Sequence, residues 1–317
     1  AFKYRDQRGS IRMMLSLIIV NWNTGELLSQ CLDSIYMDPE RVEAFEVWVV
    51  DNASTDGSAQ AALEKYPQTK LIQNRQNPGF AAANNQAIRQ AQGEYLLLLN
   101  PDAILYPGAA RTMLDFLIHN PPVGAVGPRL LNPDQTLQFS CSPEPTLSRE
   151  FKRLFHLAGV RPDGYYAMDT WDITKPRPVD VLLGACILVR RQALEDVGLF
   201  EEAYFMYSEE VDLCRRLRQK GWGVYWMPAA QVIHFGGQST RQAAAEMFLQ
   251  LYKAKIMYFR KHYGASAAWI YKLILLAASL PRLAIGAVVW FEPSPRRETH
   301  LAMVQNYQRL IAKLPLF

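Results

Sequence analysis

LSLIIVNWNTGE, residues 15–26, sets an almost wholly apolar, β-branched run against an abrupt polar break, and this contrast decides the fold. Six residues of this kind suit a strand buried on both faces of a parallel sheet rather than one that faces water. Working outward, the same alternation repeats. Apolar residues at 27, 28, 31, 32 and 35 have the spacing of a helix packed on that sheet. FEVWVV is a second buried strand ending at Asp51, and NASTDGS supplies the turn and capping residues that open a helix through about Tyr66. LIQN reads as a short strand, RQNPGF as a loop, and AAANNQAIRQA as a helix closed by Gly93. YLLLLN is another apolar strand, stopped by Pro101. Strands alternating with helices in this way predict a doubly wound α/β domain.

Residues 124–178 carry many turn formers, and GAVGPRLLNPDQTLQ reads as short strands in an irregular region. DVLLGACILVRR resumes as a buried strand. SEEVDLCRRLRQKGW reads as a helix with Ser208 as its N-cap and Gly221 beyond its end, and GVYWMPAAQVIHF as a further strand region. A helix rich in aromatic and basic residues is expected over 241–263, followed by an apolar segment from Ala267 to Phe291.

The 317 residues are 50% hydrophobic and 20% charged, which fits a globular chain and excludes collagen-like and wholly disordered classes. A net charge of +4 is too mild to indicate nucleic acid as a partner. Cys31, Cys141, Cys186 and Cys214 form no CxxC pair, so a reducing compartment is the expectation. The polar opening AFKYRDQRGSIRMM does not read as a signal peptide, which points to a protein that stays inside the cell, with residues 1–13 as a loose tail.

Ligands of open α/β sheets bind beyond the carboxyl ends of the strands. Three strand ends here carry distinctive polar text: NWNTGE, DNASTDGS and NPDA. Asp51 has the chemistry to accept from a pyrimidine imide or ribose hydroxyls, and Asp102 to hold a divalent cation against a diphosphate. Each loop taken singly is equally an ordinary turn or cap; three on one sheet edge are harder to dismiss. GxGxxG and GxxxxGK[ST] are both absent, which disfavours phosphate binding by a glycine-rich loop and favours a metal with few protein ligands.

VNWNTGELL, VVDNASTDGS, NPGFAAANN, NPDA, GACILVRR and YSEEVDLCRRLRQKGW, in this order between Leu15 and Gly237, resemble the family 2 glycosyltransferases, especially their bacterial rhamnosyltransferase-like branch. The resemblance implies an A-type glycosyltransferase fold with a mostly parallel central sheet and a C-terminal helical appendage. It also implies a nucleotide-sugar donor, a divalent metal (Mg2+ or Mn2+) and inversion at the anomeric carbon. In it Asp51 contacts base or ribose. The NPD segment stands where the family has DxD, so Asn100 replaces the first acid and Asp102 is the expected metal ligand, joined by His234. Glu210 occupies the place of the acid that deprotonates the acceptor hydroxyl, with Glu209 and Asp212 as rivals. Asn21, Trp22, Asn23, Thr24, Asn77, Gly79, Phe80, Asn84 and Asn85 shape the donor pocket, and Arg241 is a further candidate for the diphosphate.

The expected organisation is a tail over 1–13, a transferase domain over 14–240 and a helical region over 241–317. In the last, Lys272, Pro281 and Arg282 interrupt the apolar text, which favours a helical appendage lying on a membrane surface over a spanning helix, with a buried cap or dimer contact almost equal. The expected reaction is transfer of rhamnose from dTDP-rhamnose to a saccharide or lipid-linked saccharide at the cytoplasmic face, in surface polysaccharide synthesis. The alternatives are another UDP- or GDP-linked sugar, or a catalytically silent nucleotide-binding partner of an assembly complex.

Overall fold

The computed structural model describes residues 14–157, 159, 161, 163–238, 242–284 and 294–317. The N-terminal tail, Arg241 and the end of the apolar segment lie outside the described residues. Two units are present: the first comprises the described residues up to Glu144, Tyr165–Phe205 and 209–238; the second comprises those in 145–164, Met206–Ser208 and those from 242 onward.

In the first unit β1 (Leu15–Asn21) is central, with β2 (Phe45–Asp51) and β4 (Tyr95–Leu99) parallel on its two sides. β3 (Lys70–Gln73) runs parallel beyond β2. Past β4 lies β10 (Cys186–Arg190), antiparallel to it, then β6 (Val123–Leu131), then β11 (Gly223–His234) parallel to β6. β5 (Ala103–Leu105) and β8 (Arg177–Pro178) pair antiparallel with β11, while β7 (Cys141–Ser142) and β9 (Val181–Leu182) form a separate ladder. The sheet is therefore mostly parallel: β1, β2, β3, β4, β6 and β11 share one direction.

Every residue of β1 is buried, as its apolar text requires. Leu15, Leu17 and Ile19 enter a core with Leu28, Cys31, Leu32 and Ile35 of α1 (Glu26–Tyr36) and with Met113, Leu114 and Leu117 of α4 (Ala109–His119). Ile18 and Val20 enter the core on the other face. There they join Ala87 and Ile88 of α3 (Phe80–Gln90), Leu194 of α6 (Arg191–Val197), and Leu213 and Leu217 of α7 (Glu209–Gln219). Each such aliphatic side chain contributes about 1.5–3 kcal/mol by leaving water. α2 (Ser58–Lys65) lies along α1, placing Ala62 in the first core.

Of the segment read as irregular, residues 124–131 belong to the nine-residue strand β6, with Arg129 alone not fully buried, while the remainder holds α5 (Leu147–Leu154) and only the short strands β7 and β8. The glycines of β6 serve packing rather than turns: a Cβ on Gly127 would lie 2.8 Å from a Leu182 methyl carbon.

The second unit is helical. It contains α5 (Leu147–Leu154), α8 (Ala244–Tyr263), α9 (Ala265–Ala284) and α10 (Ser294–Lys313) around Tyr252, Ile256, Phe259, Tyr271, Leu275 and Leu310. α5 thus groups with the C-terminal helices, although the chain places it in the middle of the transferase text. Pro281 sits inside α9 rather than ending it, at the cost of the hydrogen bond a residue with an N–H would give to the Ala277 carbonyl.

Candidate active site

The parallel strands bring their carboxyl ends to one rim. Asn21 faces Asp51 across the β1–β2 ladder, Leu99 ends β4 opposite Ile19 of β1, and His234 ends β11 on the same side. Because β10 runs the other way, it begins at this rim, and Ala185, just before it, accepts a hydrogen bond from the Asn100 N–H at 2.9 Å.

The first two loops are laced together. Asn21 Nδ2 donates to Asp51 Oδ1 at 2.9 Å and Ser58 Oγ at 2.8 Å, while Thr24 Oγ1 donates to Asn21 Oδ1 at 2.5 Å. Asn23 Oδ1 accepts from the Thr55 N–H at 2.8 Å. Asn21, Asn23 and Thr24, read as donor-binding, therefore act first as braces that hold the β1 and β2 loops in register. Asp51 accepts one bond on each oxygen, from Asn21 and from the Ser54 N–H at 3.1 Å. A carboxylate has about four acceptor sites, so it retains capacity for a nucleoside.

A second network joins the β2 and β3 ends. Asn77 Oδ1 accepts from Asn52 Nδ2 at 3.2 Å and from the Gly79 N–H at 2.9 Å. Gly79 has φ 93°, and a Cβ there would meet the Phe205 carbonyl oxygen at 2.4 Å. What its missing side chain admits is thus the Phe205 backbone, to which the Phe80 N–H donates at 2.7 Å, rather than a ligand. Asn84 Nδ2 bonds the Phe80 carbonyl at 2.9 Å, and Asn85 Nδ2 the Phe200 carbonyl at 2.8 Å. Asn85, whose Oδ1 also receives the Phe200 N–H, is a clamp on the segment that begins at Phe200.

Asp102 and His234, some 130 residues apart in the chain, meet at the rim: His234 Nε2 lies 3.3 Å from Asp102 Oδ1 and 3.4 Å from Asn100 Nδ2. The β5–β11 pairing brings this about, with His234 opposite Ala103 and the Phe235 N–H bonded to the Asp102 carbonyl at 3.0 Å. Among the described residues no cluster of three or more His, Cys, Asp or Glu is present. The set is nonetheless suitable for Mg2+ or Mn2+: a carboxylate oxygen and an imidazole nitrogen, both buried and facing each other, leave the other positions of such an ion for diphosphate oxygens and water.

At the start of α7, Glu209 is buried and Glu210 partly so, and Oε2 of each is buried without a hydrogen-bond partner among the described residues. Burial pushes the Glu210 carboxyl up to about 6; burial and the neighbouring Glu210 charge push Glu209 well above the usual carboxylate range. Tyr207 and Ser208 both have positive φ, 69° and 67°, so the chain enters α7 through two residues in the left-handed region. Asp212 does not stand beside these two acids as a base. It is fully buried and paired with Arg216 Nε at 2.7 Å, and that guanidinium also bonds the Val197, Gly198 and Leu199 carbonyls. Glu210 Cβ lies near the position a Gly184 Cβ would take, at 3.8 Å, one residue from the Ala185 carbonyl that holds Asn100. The GAC turn thus links the Asn100–Asp102 loop to the α7 acids. Gly184 and Ala185 belong to the GACILVRR motif but carry no side-chain chemistry that would single them out, and Gln138, whose Oε1 lies 2.7 Å from His234 Nδ1, sits in ordinary turn text with no signal of its own.

Acids and a histidine thus gather at one rim of a mixed α/β sheet, beyond the strand ends where such sheets bind ligands. Residues 16–198, more than half the chain, match the family model for glycosyl transferase family 2, and the chain belongs to that family. It is 32% identical over 271 residues to the N-acetylglucosaminyl-diphospho-decaprenol L-rhamnosyltransferase of Mycobacterium tuberculosis, covering 79% of this chain and 86% of that one. It is 28% identical over 258 residues to the low-salt glycan biosynthesis hexosyltransferase Agl10 of Haloferax volcanii, covering 80% and 75%. The mannosyltransferase PcManGT of Pyrobaculum calidifontis, solved with GDP-Man and Mn2+, superposes with a TM-score of 0.53 at 20% identity over 96% of this chain and 87% of that one. The protein is a glycosyltransferase of the rhamnosyltransferase-like type.

Proposed function

We propose that this glycosyltransferase moves rhamnose from dTDP-rhamnose to a saccharide carried on a polyprenyl diphosphate, with inversion, at the cytoplasmic face of the membrane. Support for the sugar and acceptor comes from the mycobacterial relative, whose name carries both. The observation that carries the chemistry is the pair of buried, unpartnered carboxylate oxygens of Glu209 and Glu210 on the rim that also holds Asp102 and His234.

In this reading Glu210 takes the proton of the acceptor hydroxyl as its oxygen attacks the anomeric carbon and the bond to the diphosphate breaks, releasing dTDP. Its raised pKa suits a base working near neutrality. Burial and the Glu210 charge raise Glu209 well above the usual carboxylate range, which makes it the less readily ionised of the two. Asp51 receives the base or ribose, with Asn21 and Ser54 fixing its orientation. Asn77 and Gly79 hold the neighbouring wall of the donor site through Asn52 and Phe205. Asp102 and His234 would hold Mg2+ or Mn2+, which supplies positive charge to the departing diphosphate.

A panel of dTDP-, UDP- and GDP-linked sugars, assayed for transfer to a polyprenyl diphosphate saccharide with and without metal, tests the assignment. The expected result is turnover with dTDP-rhamnose that EDTA abolishes and Mn2+ or Mg2+ restores. Asp102→Asn is expected to lower metal-dependent turnover by roughly 10–100-fold. Preference for a UDP or GDP donor overturns the donor assignment; binding without turnover of any donor makes the chain a silent partner.

Action at a membrane is supported by α9. One of its faces packs in the helical core through Ala267, Tyr271, Leu275 and Ala278; the opposite face exposes Trp269, Ile270, Leu273, Leu276 and Leu280. Lys272 Nζ lies 4.9 Å from the Trp269 ring, and Arg260 and Lys261 are exposed at the end of α8. Of the basic residues on these two helices, Lys255 is taken up by Glu150, Lys272 is buried and Arg282 bonds the Ala278 and Leu154 carbonyls, which leaves Arg260 and Lys261 as the exposed charges. An apolar stripe beside basic side chains suits the headgroup boundary of an anionic bilayer. Vesicles of phosphatidylglycerol are expected to co-sediment the protein and phosphatidylcholine vesicles to do so far less, with Trp269→Ser plus Leu273→Ser weakening binding at least about tenfold. Failure to bind anionic vesicles, or self-association lost in the same variant, overturns this part.

A further inference from the structure

Gln138 and the turn that carries it point to a device acting on His234. Gln138 Nε2 donates to the His234 backbone carbonyl at 3.0 Å and to Asn132 Oδ1 at 2.9 Å. A backbone carbonyl only accepts, so the amide nitrogen of Gln138 must face it. The polarity of the other contact is fixed from further away. Thr136 Oγ1 has one proton and sits 2.6 Å from Asp134 Oδ1, so it accepts from Asn132 Nδ2 at 2.9 Å, which leaves Asn132 Oδ1 as the acceptor for Gln138. Two independent anchors, one carboxylate and one carbonyl, therefore turn Gln138 Oε1 toward the ring, where it lies 2.7 Å from His234 Nδ1. Oε1 cannot donate, so the ring proton sits on Nδ1.

The consequence falls on the other nitrogen. With Nδ1 protonated, a neutral ring presents an unprotonated Nε2 that can accept from Asn100 Nδ2 at 3.4 Å and lies 3.3 Å from Asp102 Oδ1. Two acceptors at that distance repel, an arrangement that a cation held by both converts to attraction. We propose that the relay Asp134–Thr136–Asn132–Gln138 exists to lock His234 in the Nδ1–H tautomer, making Gln138 the positioning residue that keeps Nε2 available as a metal ligand. This rests on the assignment of Asp102 and His234 as the metal pair, and the relay itself is testable without metal.

Protein labelled with nitrogen-15 histidine, metal-free and followed to the pH at which its ring signals stop changing, is expected to show His234 with a protonated-type Nδ1 and an unprotonated Nε2; the His234→Gln spectrum assigns the signal. Gln138→Leu, which removes the acceptor, is expected to lose this signature. Gln138→Glu, which keeps an acceptor facing Nδ1, is expected to retain it. In the presence of dTDP, Gln138→Leu is further expected to weaken Mn2+ binding, read by the electron paramagnetic resonance of free Mn2+, by roughly tenfold or more. A proton on Nε2 in the native protein, an unchanged ring signature in Gln138→Leu, or a changed signature with unchanged Mn2+ affinity each overturns the proposal. Thermal melting of both variants separates these outcomes from unfolding, and the native spectrum decides even if Gln138→Leu does not fold. If the native ring shows the expected tautomer while Mn2+ with dTDP does not bind, the metal assignment fails and the tautomer lock stands.

Discussion

Buried glutamates are treated in opposite ways in the two units. In the helical unit Glu150 is enclosed yet fully answered: Lys255 Nζ lies 2.8 Å from it, Arg153 Nη2 2.8 Å and the Tyr271 hydroxyl 3.0 Å. Burial alone would raise its carboxyl, but Lys255 and Arg153 hold it down to about 2. At the sheet rim Glu209 and Glu210 are enclosed with an oxygen each left unanswered, and both are pushed up. The same residue type serves cohesion where its charge is matched and chemistry where it is not, since an unmatched buried carboxylate is poised to take a proton.

Amide replacement should expose this difference most sharply. Glu210→Gln is expected to cut transfer by about 10²–10⁴-fold, the range of a lost general base, without lowering the melting temperature, because it removes a charge that had no partner. Turnover near the native rate would move the base to Glu209. In the helical unit the cost should appear in stability instead: Glu150→Leu leaves Lys255 buried without its counter-charge and is expected to cost about 3–5 kcal/mol in denaturant unfolding. A change under about 1 kcal/mol would mean the ion cluster contributes no net cohesion.

Acidity gives a smaller and graded contrast. Glu210 must be unprotonated to act, so transfer should rise about tenfold per pH unit up to about 6 and level above it. Glu150, with its folded pKa depressed, contributes stability that is present above the ordinary carboxylate range and is lost as pH falls toward about 2. Activity should therefore fail at a higher pH than the helical fold does. Coincident loss of transfer and of helical circular dichroism between pH 6 and pH 4 would erase the distinction.

Legibility in the sequence followed the range of the interactions involved. β1, β2, α1, α3 and β4 could be read because burial on both faces and helical spacing are carried by adjacent residues. β6 could not, because Gly124, Gly127 and Pro128 look like turn text until Trp222 and Leu182 are seen filling the space that side chains at the two glycines would occupy. Among candidate site residues, those that meet at the rim were marked by loop chemistry at strand ends. The braces Asn21, Asn23 and Asn85 carry the same amide chemistry as a ligand contact would, and one-dimensional text cannot distinguish a bond to protein from a bond to substrate. Arg216 as the partner of Asp212 was nearer to hand, since an i,i+4 acid–base pair on a helix is visible in sequence.

The linear chain determined the alternation of strands and helices, the family, and the acids and histidine offered for chemistry, because periodicity, turn formation and motif spacing are properties of neighbouring residues. Tertiary structure alone decided that β10 enters against the direction of β4 and so begins at the active rim, that α5 joins the C-terminal helices, and which polar groups are matched. The tautomer of His234 is the clearest case: it depends on Gln138, 96 residues away, and two side chains so far apart come within hydrogen-bonding distance only through the register of the folded sheet.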